Sequence, residues 1–147
     1  MNTQNQNLTI LKSKWSVAEL GLVYKTVEKT DVKITQSSDA YNVFKSMWNT
    51  ELLEIQEQFA VVFLNRRNEV IAYRHISTGN MIGTVVDIKL IASLCLQTLA
   101  CGVILAHNHP SKNLKPSQAD ISITKKLDAA ISLFEIKLID HLIIRAC

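Results

Sequence analysis

"CGVILAHNHPSKNLKPSQADISITKKL", residues 101–127, sets an apolar run, a polar loop and a helix-like repeat in immediate succession. Gly102–Ala106 is aliphatic without alternation, as a strand buried on both faces would be. The loop after it holds both prolines of the chain, Pro110 and Pro116. From Ser117 onward, Ile121, Ile123, Thr124, Leu127, Ile131 and Phe134 recur at helical spacing, which predicts a second long helix over 117–134. "EIKLIDHLII" (135–144) then closes as a strand.

The same reading extends outward. "SSDAYNVFKSMW" puts Tyr41, Phe44 and Trp48 on one helical face and predicts a helix over roughly 38–50. "QFAVVFLN" (58–65) suits a buried strand, "NRRN" a turn, and "EVIAYRHIS" (69–77) the returning strand of a hairpin. "TGN" punctuates its end. In "DIKLIASLCLQTLAC" (87–101), Ile91, Leu94, Cys95, Thr98 and Leu99 share a face, with Asp87 as N-cap and Gly102 as stop. "AELGLVYK" (18–25) is a further strand candidate, and residues 1–7 form an Asn/Gln-rich tail. Helices alternating with apolar strands predict one layered α/β domain, a central mixed sheet flanked by helices.

The chain has 147 residues, 48% hydrophobic and 20% charged, enough for a core without disulfide or metal staples. Its three cysteines (Cys95, Cys101, Cys147) contain no C-x-x-C pair and read as free thiols. There is no long apolar span and no secretory leader pattern, so a cytoplasmic protein without a membrane anchor is expected. The formal charge is +3 with Lys and Arg dispersed, apart from Arg66–Arg67 and Lys125–Lys126. A nucleic-acid stripe would be denser, and these charges read as a solvated surface.

His107 and His109 stand at i and i+2 where a strand gives way to a loop, so both imidazoles can face one ion. Asp120 can turn back from a helix start to complete two nitrogens and a carboxylate, a zinc set with a fourth position left for water. A competing reading is available for the same residues. Ser117-x-x-Asp120 is also a capping box opening the helix, and the histidines could be solvated loop residues. Other zinc signatures do not fit: there is no H-E-x-x-H helix and no H-x-E followed by P-C-x-x-C. The letters "HNH" do not by themselves make a nuclease motif.

"AHNHPSKNLKPSQADISITKKL" resembles the signature of the RadC family, a bacterial branch of the JAMM (MPN+) metalloprotease superfamily. His107, His109, Ser117 and Asp120 match its H-x-H, seven residues, Ser, two residues, Asp. "EQFAVVFLNRRNEVI" resembles the strand that begins with the family glutamate, here Glu57. "ISTGN", "VVDIKLI" and "IDHLII" follow in order, so the resemblance covers roughly 37–145. It implies a JAMM or cytidine-deaminase-like fold over 37–147, after an N-terminal segment (1–36) without the helix-hairpin-helix module of many relatives. It implies a Zn2+ metallopeptidase cleaving a peptide or isopeptide bond. His107, His109 and Asp120 would hold the metal, Glu57 would carry the water proton, and Ser117 would donate to the oxyanion.

The alternative implied by the family's history is a DNA-repair-associated accessory protein. The partner would be a peptide or protein, with nucleic acid the weaker candidate. Three departures stand out. Lys112 replaces the usual glycine, suggesting a less tight loop. Lys89-Leu90 replaces an Arg-Glu pair. The chain also stops before a glycine-rich end, as a truncated form would. His75 and His141 read as hydrogen-bonded side chains rather than ligands, and Asp140 either as a residue that could orient a ligating imidazole or, equally, as a surface or local-turn residue.

Overall fold

The computed structural model describes residues 32–78 and 86–145. Two strands, β1 (Gln58–Leu64) and β3 (Gly102–Asn108), are buried along their whole length. Such strands need a cover on each face, and side-chain alternation sorts their residues between two cores. Ala60, Val62, Leu64, Ile104 and Ala106 face helix α1 (Ser37–Met47), packing on Ala40, Phe44 and Trp48. Phe59, Val61, Phe63, Val103 and Leu105 face helices α2 (Ile88–Gln97) and α3 (Gln118–Ser132), packing on Ile91, Cys95, Leu127 and Ile131.

Strands β2 (Val70–Thr78) and β4 (Lys137–Ile144) complete a sheet of order β2-β1-β3-β4. β1 runs antiparallel to both β2 and β3, whereas β4 returns parallel to β3 after crossing through α3. This is the mixed sheet between helical layers that the sequence predicts. The strand read over 18–25 and most of the "TGN" stretch lie outside the described residues. Ahead of α1, Lys33 bridges to Glu69 and Ile34 is buried, so the core reaches back to residue 34.

Helix ends depart from expectation in instructive ways. Asp87 does cap α2, its side chain accepting from the Lys89 and Leu90 amides. Gly102, however, does not stop the helix. Leu99 adopts φ 53° and closes α2, with Ala100 N–H donating to the Cys95 carbonyl at 3.1 Å and Leu99 N–H to Leu96 at 3.2 Å. This is the paired hydrogen-bond pattern of a left-handed helix end, built on a leucine that is 76% exposed instead of facing the core. Phe134 is likewise exposed beyond the end of α3. Gly102 opens β3 instead, where an added Cβ would lie 2.6 Å from Ile139 Cδ1 of β4.

Candidate metal centre

The alternation that sorts the core also delivers the site. His107 continues the Val103–Leu105 face of β3, pairs in register with Phe59 of β1 and stacks on its ring at 6.2 Å between centroids. It is 1% exposed. The chain leaves the sheet at His109. Ligands gather beyond the carboxyl ends of strands in such layered folds, and β3 ends here.

Ser117 and Asp120 form the predicted capping box of α3. Asp120 N–H donates to Ser117 Oγ at 3.1 Å, and Ser117 N–H donates to Asp120 Oδ2 at 2.6 Å. The cap locks the carboxylate in place, pointing at the histidines. Asp120 Oδ1 lies 3.4 Å from His107 Nε2, and Oδ2 lies 3.3 Å from His109 Nε2. The two Nε2 atoms are 2.9 Å apart. The capping role of Asp120 therefore leaves its carboxylate free to be one of a group that could hold a metal. All three ligand atoms lie within 4.8 Å of one another, close enough to hold one metal ion.

Electrostatics keep the cluster ready for a cation. Burial holds the His107 imidazole below its ordinary range, outweighing the attraction of Asp120. Burial pushes the Asp120 carboxyl up, but hydrogen bonds from Ser117 and the nearby imidazoles bring it below the usual value. A neutral imidazole and a carboxylate are the protonation states metal binding requires. His109 Nδ1 donates to the Asn113 carbonyl at 2.6 Å, which fixes the orientation of the ring.

Two residues that spacing did not single out shape the surroundings. Asn108, between the histidines, points to the opposite face and is fully buried. Its Oδ1 accepts the Gln58 amide at 2.8 Å, and its Nδ2 donates to the carbonyls of Leu53 at 2.8 Å and Gln56 at 2.9 Å. Asn108 thus staples the segment carrying Glu57 to the end of β3. Glu57, half-buried, precedes β1 by one residue and continues the β1–β3 register to a position opposite His109. Thr124 is the second: its hydroxyl lies 2.7 Å from His141 Nδ1, and His141 Nε2 lies 2.9 Å from His107 Nδ1. Only a polar side chain one helical turn after Asp120 hinted at it.

Other expectations resolve as follows. His75 Nε2 bonds to the Met47 carbonyl at 3.1 Å, a hydrogen-bonded side chain as read. Asp140 does not orient a ligating imidazole. It accepts Ser37 Oγ at 2.8 Å and the His141 amide at 2.8 Å, tying β4 to α1. Lys112 adopts φ 61°, a conformation that favours glycine, and its amide donates to His109 O at 2.9 Å. Cys95 is buried and Cys101 exposed, both free thiols; Cys147 lies outside the described residues. Among the described residues no helix is long and apolar enough to cross a membrane.

Burial holds the His141 imidazole down to about 4, against 6.5 when solvated. Between those values the unfolded chain binds the proton and the folded chain does not, so stability falls as pH falls through that window. Metal-free protein is expected to lose on the order of 2 kcal/mol between pH 7 and pH 5 from this residue. Urea unfolding at the two pH values, in the presence of chelator, measures it. Equal stability at both would place a proton on the folded imidazole.

A cavity of about 520 Å³ adjoins the cluster, lined by His107, Asp120, Thr124 and His141 with apolar walls from Leu114, Ile121 and Leu142. A few convergent polar groups beside an apolar wall are the usual make-up of a ligand site.

Comparison with known proteins matches residues 34–147 to a family model described as the RadC-like JAB domain. A UPF0758 protein of Flavobacterium johnsoniae is 46% identical over 112 residues, 76% of this chain and 48% of the relative. One from Porphyromonas gingivalis is 39% identical over 111 residues, 76% of this chain and 48% of the relative. One from Coprothermobacter proteolyticus is 35% identical over 135 residues, 91% of this chain and 57% of the relative. The chain spans about half the length of the curated relatives it matches. The family match takes in the whole sheet together with His107, His109 and Asp120, and the chain belongs to the RadC-like JAB domain family.

Proposed function

We propose that the chain is a zinc-dependent hydrolase that cleaves a peptide or isopeptide bond. The observation that supports this best is the convergence of His107 Nε2, His109 Nε2 and an Asp120 oxygen within 4.8 Å of one another, beside a cavity that His107 and Asp120 help to line. Two imidazoles and one carboxylate are the ligand set of a hydrolytic zinc site with an open position. A Zn2+ ion held by His107, His109 and Asp120 would lower the pKa of a water to ~7 and so make hydroxide available near neutral pH.

The chain's own residues do the rest. Glu57, held by the Asn108 staple, takes the proton of the attacking water on a carboxylate oxygen and returns it to the leaving nitrogen. Ser117 donates its hydroxyl to the oxygen that gains charge when the carbonyl is attacked. The apolar wall of Leu114, Ile121 and Leu142 receives a substrate side chain beside the scissile bond.

The test pairs two assays on zinc-loaded protein. Against a mixed library of peptides and isopeptide-linked conjugates, cleavage that stops with chelator and returns with zinc is expected. Duplex DNA binding should be weak and lost near physiological salt, because affinity built on phosphate contacts falls steeply with ionic strength. Full zinc occupancy without cleavage, together with tight salt-resistant DNA binding, would overturn the hydrolase reading in favour of a DNA-associated role.

A further inference from the structure

His107 offers a metal ion its Nε2 only if the ring proton sits on Nδ1, and nothing within the ring dictates that choice. The surrounding hydrogen bonds do. Thr124 Oγ1 lies 2.6 Å from the backbone carbonyl of Asp120. A carbonyl cannot donate, so the threonine hydroxyl must donate to it. With its proton committed there, Thr124 can only accept from His141 Nδ1 at 2.7 Å. His141 therefore carries its proton on Nδ1 and presents a bare Nε2. That nitrogen, 2.9 Å from His107 Nδ1, accepts from it. The proton of His107 is thereby held on Nδ1, and its Nε2 lone pair faces His109 and Asp120.

We infer that Thr124 and His141 are positioning residues that fix the tautomer and ring orientation of His107 through a directional hydrogen-bond chain ending on the Asp120 carbonyl. One residue, Asp120, then serves the site twice, with its carboxylate as a direct ligand and with its backbone oxygen as the anchor of another ligand's tautomer. Helix α3 couples the two because Thr124 stands one turn after Asp120. The partner of a ligating imidazole is more often a carboxylate or a single carbonyl; here a second imidazole and a hydroxyl carry the same polarity. Packing holds the second imidazole in place, His141 facing Phe59 edge-on at 5.5 Å.

The inference rests on the metal reading of His107, so its test begins on metal-free protein, where the tautomer is read directly. Long-range 1H–15N spectra with chelator should show His107 protonated on Nδ1 in the parent chain and in Thr124→Ser. In Thr124→Val the hydroxyl is gone and His141 is free to place its proton on Nε2. His107 should then shift its own proton to Nε2, the nitrogen a metal needs. Zinc affinity, measured by competition with a chelating dye, should fall about 10–100-fold in Thr124→Val and recover in Thr124→Ser.

A second pair guards against a variant that does not fold. His141→Gln can accept from His107 and donate to Thr124, and should keep the parent tautomer; His141→Phe should lose it. An unchanged His107 tautomer in folded Thr124→Val or His141→Phe would overturn the inference. So would a loss of zinc affinity without any change of tautomer. Should the parent chain bind no zinc, the metal reading fails while the tautomer measurement still decides the hydrogen-bond chain.

Discussion

Replacing both His107 and His109 by alanine is expected to abolish zinc binding, from about one ion per chain to none by elemental analysis. Loss of an outer partner of a ligand costs roughly 10–100-fold in metal affinity. Removing two of three ligands leaves Asp120 alone and should cost far more. The folded chain should report the difference as well. Zinc at a thousandfold excess over its dissociation constant stabilises a chain that binds it only when folded by about 4 kcal/mol. The parent protein should therefore melt several degrees higher with zinc than with chelator, and the double variant should show no such shift.

The metal-free comparison carries a second expectation. In the parent chain His107 Nε2 and His109 Nε2 lie 2.9 Å apart, with Asp120 oxygens 3.4 Å and 3.3 Å from them. His109 is only partly buried, so His109→Ala should cost little stability in chelator while losing the zinc-dependent gain. His107→Ala should cost more, because it opens a buried position and strips His141 of its partner. Zinc retained at one per chain in the double variant would place the metal elsewhere.

Much of this was legible in the sequence, and the reasons are local. The strand pair β1 and β3 is visible as unbroken apolar runs because both faces are covered. Asp87 and Ser117 are visible as caps because capping needs a particular side chain at a particular step. Long-range relations were not legible. Leu99 looks like a core residue at helical spacing, yet closing α2 required a left-handed residue at that step, and the chain used a leucine for it. Gly102 looks like a stop signal, while its small size serves the approach of Ile139 across a parallel strand pair.

The site divides along the same line. His107, His109 and Asp120 lie within fourteen residues of one another, and their spacing alone suggests convergence. His141 comes from the neighbouring strand and meets His107 only through the parallel register that sets His107 beside Ile143. Asn108 was hidden in plain view between two histidines, because nothing local tells which backbone groups a buried amide will reach. Asp140 and His141 are adjacent in sequence and serve opposite faces of the sheet. Alternation explains the division once the strand is known, but it does not say which of the two lies on the His107 side.

Glu57→Gln is expected to remove hydrolysis, by about 10²–10⁴-fold in kcat, while leaving zinc occupancy and melting temperature close to the parent values. The argument begins with where Glu57 stands. It is outside the group of atoms that converge for a metal, so its loss should not release the ion. It is nonetheless held near that group. The segment before β1 is clamped at Leu53, Gln56 and Gln58 by the three hydrogen bonds of Asn108, which itself sits between His107 and His109. Glutamine matches the size of glutamate and keeps an acceptor oxygen, but it cannot take up a proton at neutral pH. Folding and metal content should therefore survive while proton transfer fails.

Asn108→Ala is the informative companion. It leaves Glu57 chemically intact and removes its clamp, so it should lower activity and also cost stability, since the Gln58 amide would lose its buried partner. Ser117→Ala should cost about 1 kcal/mol from the lost cap as well as activity, so it separates the two roles less cleanly. The measurement combines peptide-cleavage rates, zinc analysis and melting curves on each variant. Release of zinc by Glu57→Gln would make Glu57 a ligand. Full activity in Glu57→Gln would assign the proton transfer to another carboxylate and break the match between the start of β1 and the family's glutamate strand.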